Sequence, residues 1–225
     1  MLQNRDAYLA TGPQGLAVCG VYVPSNDAVH VGLFCRKDAE RRILEFNGTN
    51  QIIYLDPANR RYDDFYFCPI PDFPDEYLDS IIALFRVLGK NLLSDFKLMV
   101  TTPVFNGGTF EMPDGNFIAT SNAEKFINCA VFVLAILNTY DYQLVDWDSF
   151  PELRDEQKAF LLDWLTYNNV PQHLHPICYR QSKALRGRHV LISPNTPGKP
   201  AIYAHIEPLS NQLIDFLKAE LASKV

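Results

Sequence analysis

Two residues of this chain have the types needed for nucleophilic chemistry at a carbonyl: His30, inside the strand-like run AVHVGLF, and Cys129, at the head of the apolar run NCAVFVLAIL. A cysteine attacks as its thiolate. An imidazole within reach takes the thiol proton, and the free N–H groups of a helix start favour the resulting anion. The chemistry these parts could perform is attack on an amide or ester, provided the fold brings a strand and a helix start together.

The strand period decides what accompanies the base. His30, Gly32 and Phe34 share one face, while Val29, Val31, Leu33 and Cys35 share the other. A hairpin of 28–36 with 40–47, centred between Lys37 and Asp38, would set Glu45 opposite His30 and keep Leu44 and Phe46 on the apolar face. A centre two residues along, between Asp38 and Ala39, would set Asn47 opposite His30 and keep the same faces. Glu45 ranks first as the group that orients the imidazole, and Asn47 second, because a carboxylate also stabilises the imidazolium.

The start of the helix decides whether the thiol is active. With Asn128 as N-cap, Cys129 lies in the first turn, where backbone N–H groups could also meet an oxyanion. Ser121 followed by Glu124 is a competing capping box, and a helix begun there would bury Cys129 two turns inside as an inert thiol. Cys19, Cys35 and Cys68 fall in apolar strand-like runs and read as small core residues, and Cys178 falls in an irregular stretch. His173 and His175 in HLH lack a third ligand at useful spacing and read as surface loop, His189 and His205 have no distinguishing context, and no metal or cofactor is implied.

Around these residues the chain reads as strands at 16–23, 28–36, 42–47, 51–55 and 65–68, with Asn47-Gly48 as a turn and Pro69 and Pro71 as the stop of the last. An amphipathic helix follows at 75–93, then a strand at 96–101, a hairpin at 106–115 and the apolar Cys129 helix to about Asn138. Residues 141–150 read as an acidic loop. A helix at 151–168 would bury Phe160, Leu161, Trp164 and Leu165, the stretch 170–200 is rich in Pro, His and Arg, and a helix capped by Ser210 closes the chain.

The 225 residues, 48% of them hydrophobic, suffice for one well-buried domain, and the net charge of -6 argues against a general nucleic-acid binder. The basic pairs, Arg41-Arg42 and Arg60-Arg61, and the Arg186–Arg188 stretch read as solvated turns. Five widely spaced cysteines suggest a reducing compartment, and the polar opening MLQNRDAYLATGPQG has no signal-peptide or membrane-anchor pattern, so a cytoplasmic location is expected.

The order of a strand histidine in HVGLF, a polar residue on the next strand in RILEFNG and a later NCAVFV helix resembles the circularly permuted papain-like proteins. These are the group around the NlpC-type peptidases that includes relatives of lecithin:retinol acyltransferase. The resemblance covers 28–138. It implies an α+β domain whose antiparallel sheet packs on the Cys-bearing helix, here with a core at 16–140, a helical insert at 75–93 and extra C-terminal helices in an accessory region at 141–225. It also implies Cys129 as nucleophile, His30 as base and Glu45 as the third residue. The activity implied is hydrolysis of an amide or ester in a peptide, a protein side chain or an acyl lipid, with acyl transfer through the same residues as the alternative. A binding or immunity-type protein on this scaffold, using the 141–150 loop as a partner surface, is the non-enzymatic alternative.

Overall fold

The computed structural model of the protein describes residues 2–12, 14–47, 51–90, 97–98, 108–119, 126–167 and 169–224. In chain order the elements are β1 (Gln3–Asn4), α1 (Arg5–Thr11), β2 (Gly15–Val23), β3 (Ala28–Lys37), β4 (Glu40–Phe46), β5 (Ile52–Leu55), β6 (Tyr66–Ile70), α2 (Leu78–Leu88), β7 (Lys97–Leu98), β8 (Thr109–Glu111), β9 (Asn116–Ile118), β10 (Phe126–Ile127), α3 (Cys129–Asn138), α4 (Asp155–Tyr167), α5 (His175–Gln181), α6 (Gly187–Ile192) and α7 (Tyr203–Ser223). The fold is α+β. A six-stranded antiparallel sheet, in the order β1-β6-β2-β3-β4-β5, carries helices on its two faces.

Alternation along the strands sorts the side chains as their sequence period demands. Leu16, Val18, Val29, Val31, Leu33, Leu44 and Phe46 form one buried layer with α2, α3, α6 and α7. Ala17, Cys19, Phe34, Ile43 and Phe67 form the other, closed by Tyr8 of α1 and by Tyr62 and Phe65. Tyr8 stacks on Phe67 with ring centroids 4.9 Å apart. The α1 segment went unread in the sequence, although Asn4 caps it by accepting from the Ala7 N–H and Gly12 ends it in the left-handed conformation.

The β3–β4 hairpin takes the second of the two registers. Lys37 pairs with Glu40 and Gly32 with Glu45, so the preferred placement of Glu45 directly opposite His30 is corrected. The loop is Asp38-Ala39. Asp38 has φ 53°, which Asp tolerates better than most side chains, and its N–H donates to the Gln14 side chain at 2.8 Å. The ladder ends at Gly32–Glu45, so Asn47 does not pair with His30; its N–H donates instead to the Gln51 carbonyl.

Other boundaries shift for local reasons. β6 runs through Pro69 instead of stopping there. β1 covers only Tyr66 and Phe67, so on that side Pro69 stands on an open edge where a missing N–H costs nothing. The helix expected over 75–93 begins at Leu78 after a single 3-10 turn and ends at Leu88, with Gly89 as its C-cap. Residues 91–93, Gly48, Gly107, most of the strand expected at 96–101, and Ser121 with Glu124 lie outside the described residues. The hairpin appears as β8 and β9.

The 141–150 stretch turns inward. Leu144, Val145, Trp147 and Phe150 are buried in the main core, and Asp146 caps its own turn by accepting from the Asp148 N–H. The main core also takes in α6 and α7. A smaller cluster of Leu153, Leu161, Leu165, Val170 and Cys178 gathers α4, α5, their connection and the segment that leads into α4. In α4, Phe160 is exposed, contrary to the expected face, whereas Leu161 and Leu165 are buried in that small cluster and Trp164 packs partly buried against it. α7 starts at Tyr203 and not at Ser210, whose hydroxyl bonds back to the Glu207 carbonyl from inside the helix. No described helix is long and apolar enough to cross a membrane.

Candidate functional site

The site lies where two inner strands of the sheet, β3 and β4, part. Their ladder ends at the Gly32–Glu45 pair, so the stretch of β3 before Gly32 keeps β2 as its strand neighbour on one side and, among the described residues, has no strand neighbour on the other. α3 lies on the layer beneath, and its first residue enters this opening. Cys129 therefore comes from the helical side and His30 from the opposite face of the sheet, and the two meet around the edge that β4 leaves free.

The helix starts where the active-thiol reading requires. Residues 126–127 are a short strand and α3 begins at Cys129, with the Asn128 side chain accepting from the Val131 N–H at 2.9 Å. The Asn128 carbonyl takes the Phe132 N–H at 2.8 Å. The Cys129 sulfur is hydrogen-bonded by the His30 ring and by the backbone of Val31 and Ala130. Burial pushes this thiol up, but the His30 partner and its positive charge, with the two backbone groups, bring it below its ordinary value. Cys129 is partly exposed, whereas Cys19, Cys35, Cys68 and Cys178 are buried. Burial holds the Cys19, Cys35 and Cys68 thiols well above the ordinary value. Cys178 lies in α5, not in an irregular segment.

His30 is held from both ends. Its Nε2 lies 2.5 Å from Glu45 Oε2, which leaves Nδ1 as the nitrogen facing the thiol. Burial works against its charge, but the Cys129 and Glu45 partners prevail and raise the imidazolium to about 10. Its side chain keeps 20% exposure, so one edge of the ring is open to a substrate, and Phe65 meets it edge-on at 6.4 Å.

Glu45 reaches His30 along the diagonal of the ladder, and Gly32 makes this reach feasible. Diagonal neighbours lie roughly 7–8 Å apart between backbones, within the span of a glutamate side chain directed at an imidazole. A Cβ on Gly32 would come within 3.0 Å of Glu45 Cβ and 2.9 Å of the Leu44 carbonyl oxygen. The carboxylate is fully buried, and its other oxygen accepts from Arg61 Nε at 2.5 Å and the Tyr62 hydroxyl at 3.2 Å. Burial raises this acid, but His30 and Arg61 overcome it and hold it below the usual carboxylate range.

Arg61 and Tyr62 were missed by sequence reasoning, which took Arg60-Arg61 for a solvated turn. They sit on a 3-10 turn, Arg60–Tyr62, capped by Asn59, and no spacing in the sequence aims that turn at β4. His189 was also unmarked. It is buried between Phe150 and Tyr203, its Nδ1 accepts from the Arg186 N–H at 3.0 Å, and its Nε2 lies 2.7 Å from Glu207 Oε2. Burial and Arg188 lower it to about 4 despite Glu207. His175 is buried rather than on a surface loop: it opens α5 and bonds the Val170 carbonyl at 2.9 Å. Among the described residues no three His, Cys, Asp or Glu side chains gather as a metal site.

The structure thus brings Cys129, His30 and Glu45 into one hydrogen-bonded line, adds Arg61 and Tyr62 behind it, and leaves Asn47 out. Comparisons of the chain with protein-family models, with curated proteins and with solved structures return no match in any of the three.

Proposed function

We propose that the protein is a cysteine-dependent hydrolase that cleaves an amide or ester bond through an acyl-enzyme, on a circularly permuted papain-like arrangement. The observation that carries this reading is the His30 ring held between the Cys129 thiol and the buried Glu45 carboxylate. A thiol below its ordinary value beside an imidazole above its own describes a thiolate–imidazolium pair, and a buried carboxylate behind the ring stabilises its positive charge. The chain order, with the His strand before the Cys helix, supports the permuted form.

In the first half-reaction the Cys129 thiolate bonds to the carbonyl carbon, and the carbonyl electrons move to oxygen. The N-terminus of α3 faces that oxyanion. Asn128 occupies the Val131 and Phe132 N–H groups and Ala130 serves the sulfur, which leaves the Cys129 N–H, among the described residues, as the donor for it. His30 Nδ1–H then protonates the leaving amine or alcohol as the carbon–leaving-group bond breaks. In the second half-reaction neutral His30 takes a proton from water, the hydroxide attacks the thioester, and thiolate and imidazolium return. Glu45 stays ionised throughout and fixes the ring orientation.

Cys129→Ala tests this reading. It should abolish labelling by an electrophilic thiol probe on the native protein and any turnover of a probe-derived ester or amide, while the fold persists. Unchanged labelling or turnover would exclude Cys129 as nucleophile.

A further inference from the structure

Past the C-terminal end of α3 the chain gathers four aromatic rings. Phe73, after β6, is buried at their centre, and Tyr77, Tyr140 and Tyr142 pack around it with ring centroids 6.2, 6.4 and 5.3 Å from its own. Tyr77 and Tyr140 meet each other at 5.6 Å. Tyr77 stands on a 3-10 turn, Asp75–Tyr77, just before α2 and keeps 39% exposure. Tyr140 and Tyr142 are half-buried against the main core. The Tyr140 hydroxyl is itself buried, so what this residue shows to solvent is not its polar atom. The rings touch one another, and the result is a platform rather than a hollow cage.

Carboxylates border the platform through the chain itself. Asp72 precedes Phe73, Asp75 and Glu76 precede Tyr77, Asp141 separates the other two tyrosines, and all four acids are exposed. Asp72 is held at the rim by the Tyr142 hydroxyl, which donates to it at 2.8 Å. Among the described residues none of these four acids is ion-paired. The basic groups on which Asp75 and Asp72 act, Lys37 and Lys199, are engaged by Asp79 and by the Ser193 carbonyl. Aromatic faces bordered by unpaired negative charge attract a cation twice over, through the ring quadrupole at contact and through the carboxylates at longer range.

We propose that this platform binds an arginine side chain presented by another protein. A guanidinium is flat, so it lies on an open ring face and forks a neighbouring carboxylate with paired N–H donors. A lysine ammonium is a compact, strongly hydrated charge that an open platform desolvates poorly. The site is separate from the hydrolase reading: the ten residues of α3, about 15 Å of helix, lie between Cys129 and the Tyr140 turn.

The test titrates the full chain into fluorescein-labelled Gly-Arg-Gly-Arg-Gly and Gly-Lys-Gly-Lys-Gly, read by fluorescence anisotropy. The wild-type protein should hold the arginine peptide more tightly than the lysine peptide. Tyr77→Leu, which removes an exposed ring and no charge, should weaken the arginine peptide by about two- to fivefold and erase its advantage, and Tyr77→Phe, which keeps the ring, should bind as the wild type does. Asp72→Asn, which keeps an acceptor for the Tyr142 hydroxyl, should weaken both peptides, whereas Glu156→Gln, at an exposed carboxylate of α4, should weaken neither. Equal affinity for the two peptides, or an equal loss in Asp72→Asn and Glu156→Gln, would reduce the effect to net charge and overturn the site. So would wild-type protein that binds neither peptide.

Discussion

Glu45 faces Gly32 across the β3–β4 ladder and yet bonds His30, its diagonal neighbour, at 2.5 Å. The missing side chain at Gly32 is what gives the carboxylate its path. The geometry of the base is thus set by a residue with no chemistry of its own.

Gly32→Ala should therefore act as a site mutation. The added methyl would meet the Leu44 carbonyl oxygen and Glu45 Cβ at about 3 Å, and backbone cannot retreat as a flexible side chain can. The expected cost is about 1–3 kcal/mol of stability, with a fall of tenfold or more in Cys129 alkylation rate as Glu45 is pushed off His30. Chemical denaturation and labelling rates read the two effects. Normal reactivity in a destabilised variant would show that the Glu45 position does not depend on Gly32.

Arg61 holds the far oxygen of Glu45 and touches no reacting atom, so it is a positioning residue. Arg61→Gln removes the cation that helps keep the buried carboxylate ionised. Glu45 then rises, His30 loses part of its support, and the thiolate form is retained over a narrower pH range. The expected result is a Cys129 alkylation profile whose acid limb moves to higher pH, with Arg61→Lys restoring part of the shift. A uniform loss at all pH values, with no displacement, would point to a packing role instead.

His189 supplies a pH dependence separate from the candidate site. Its folded value of about 4 lies below the unfolded value of about 6.5, so the unfolded chain takes up the proton first as pH falls. The contribution is present in full above about 6.5 and is lost as pH falls through about 4, on the order of 3 kcal/mol at most. In structural terms the imidazole cannot be protonated at Nδ1 without releasing the Arg186 N–H. Thermal melts from pH 7 to pH 4 should show a steeper loss in the wild-type protein than in His189→Gln, and parallel curves would rule this residue out as the cause.

Much of this arrangement was legible in the sequence because it rests on local rules. The strand period put His30 on the face opposite Val29 and Val31, and Asn128 was one of two caps open to the Cys129 helix, with Ser121 the other; α3 starts at the first. What was not legible depends on distance or on degeneracy. A two-residue slip of the hairpin preserves every face, so hydrophobic pattern alone could not choose between Glu45 and Asn47 opposite His30. The side chain then crossed the diagonal, which no pairing rule anticipates. Arg61 reaches Glu45 from another element, and α5 and α6 are short helices in a Pro-, His- and Arg-rich stretch, held by burial of residues such as Cys178, Val190 and Leu191 and not by propensity.

The thiolate–imidazolium pair is the central claim, and the titration of Cys129 tests it most directly. The rate of iodoacetamide addition at Cys129, followed by peptide mass across pH in native wild-type protein and in His30→Ala, reports the thiolate fraction. The wild-type thiol should half-titrate well below the free value of roughly 8.5 and keep its thiolate–imidazolium form until His30 loses its proton near 10. In His30→Ala, burial without the imidazolium should move the half-point above the free value. A wild-type thiol that titrates at or above the free value, unmoved by His30→Ala, would contradict the account.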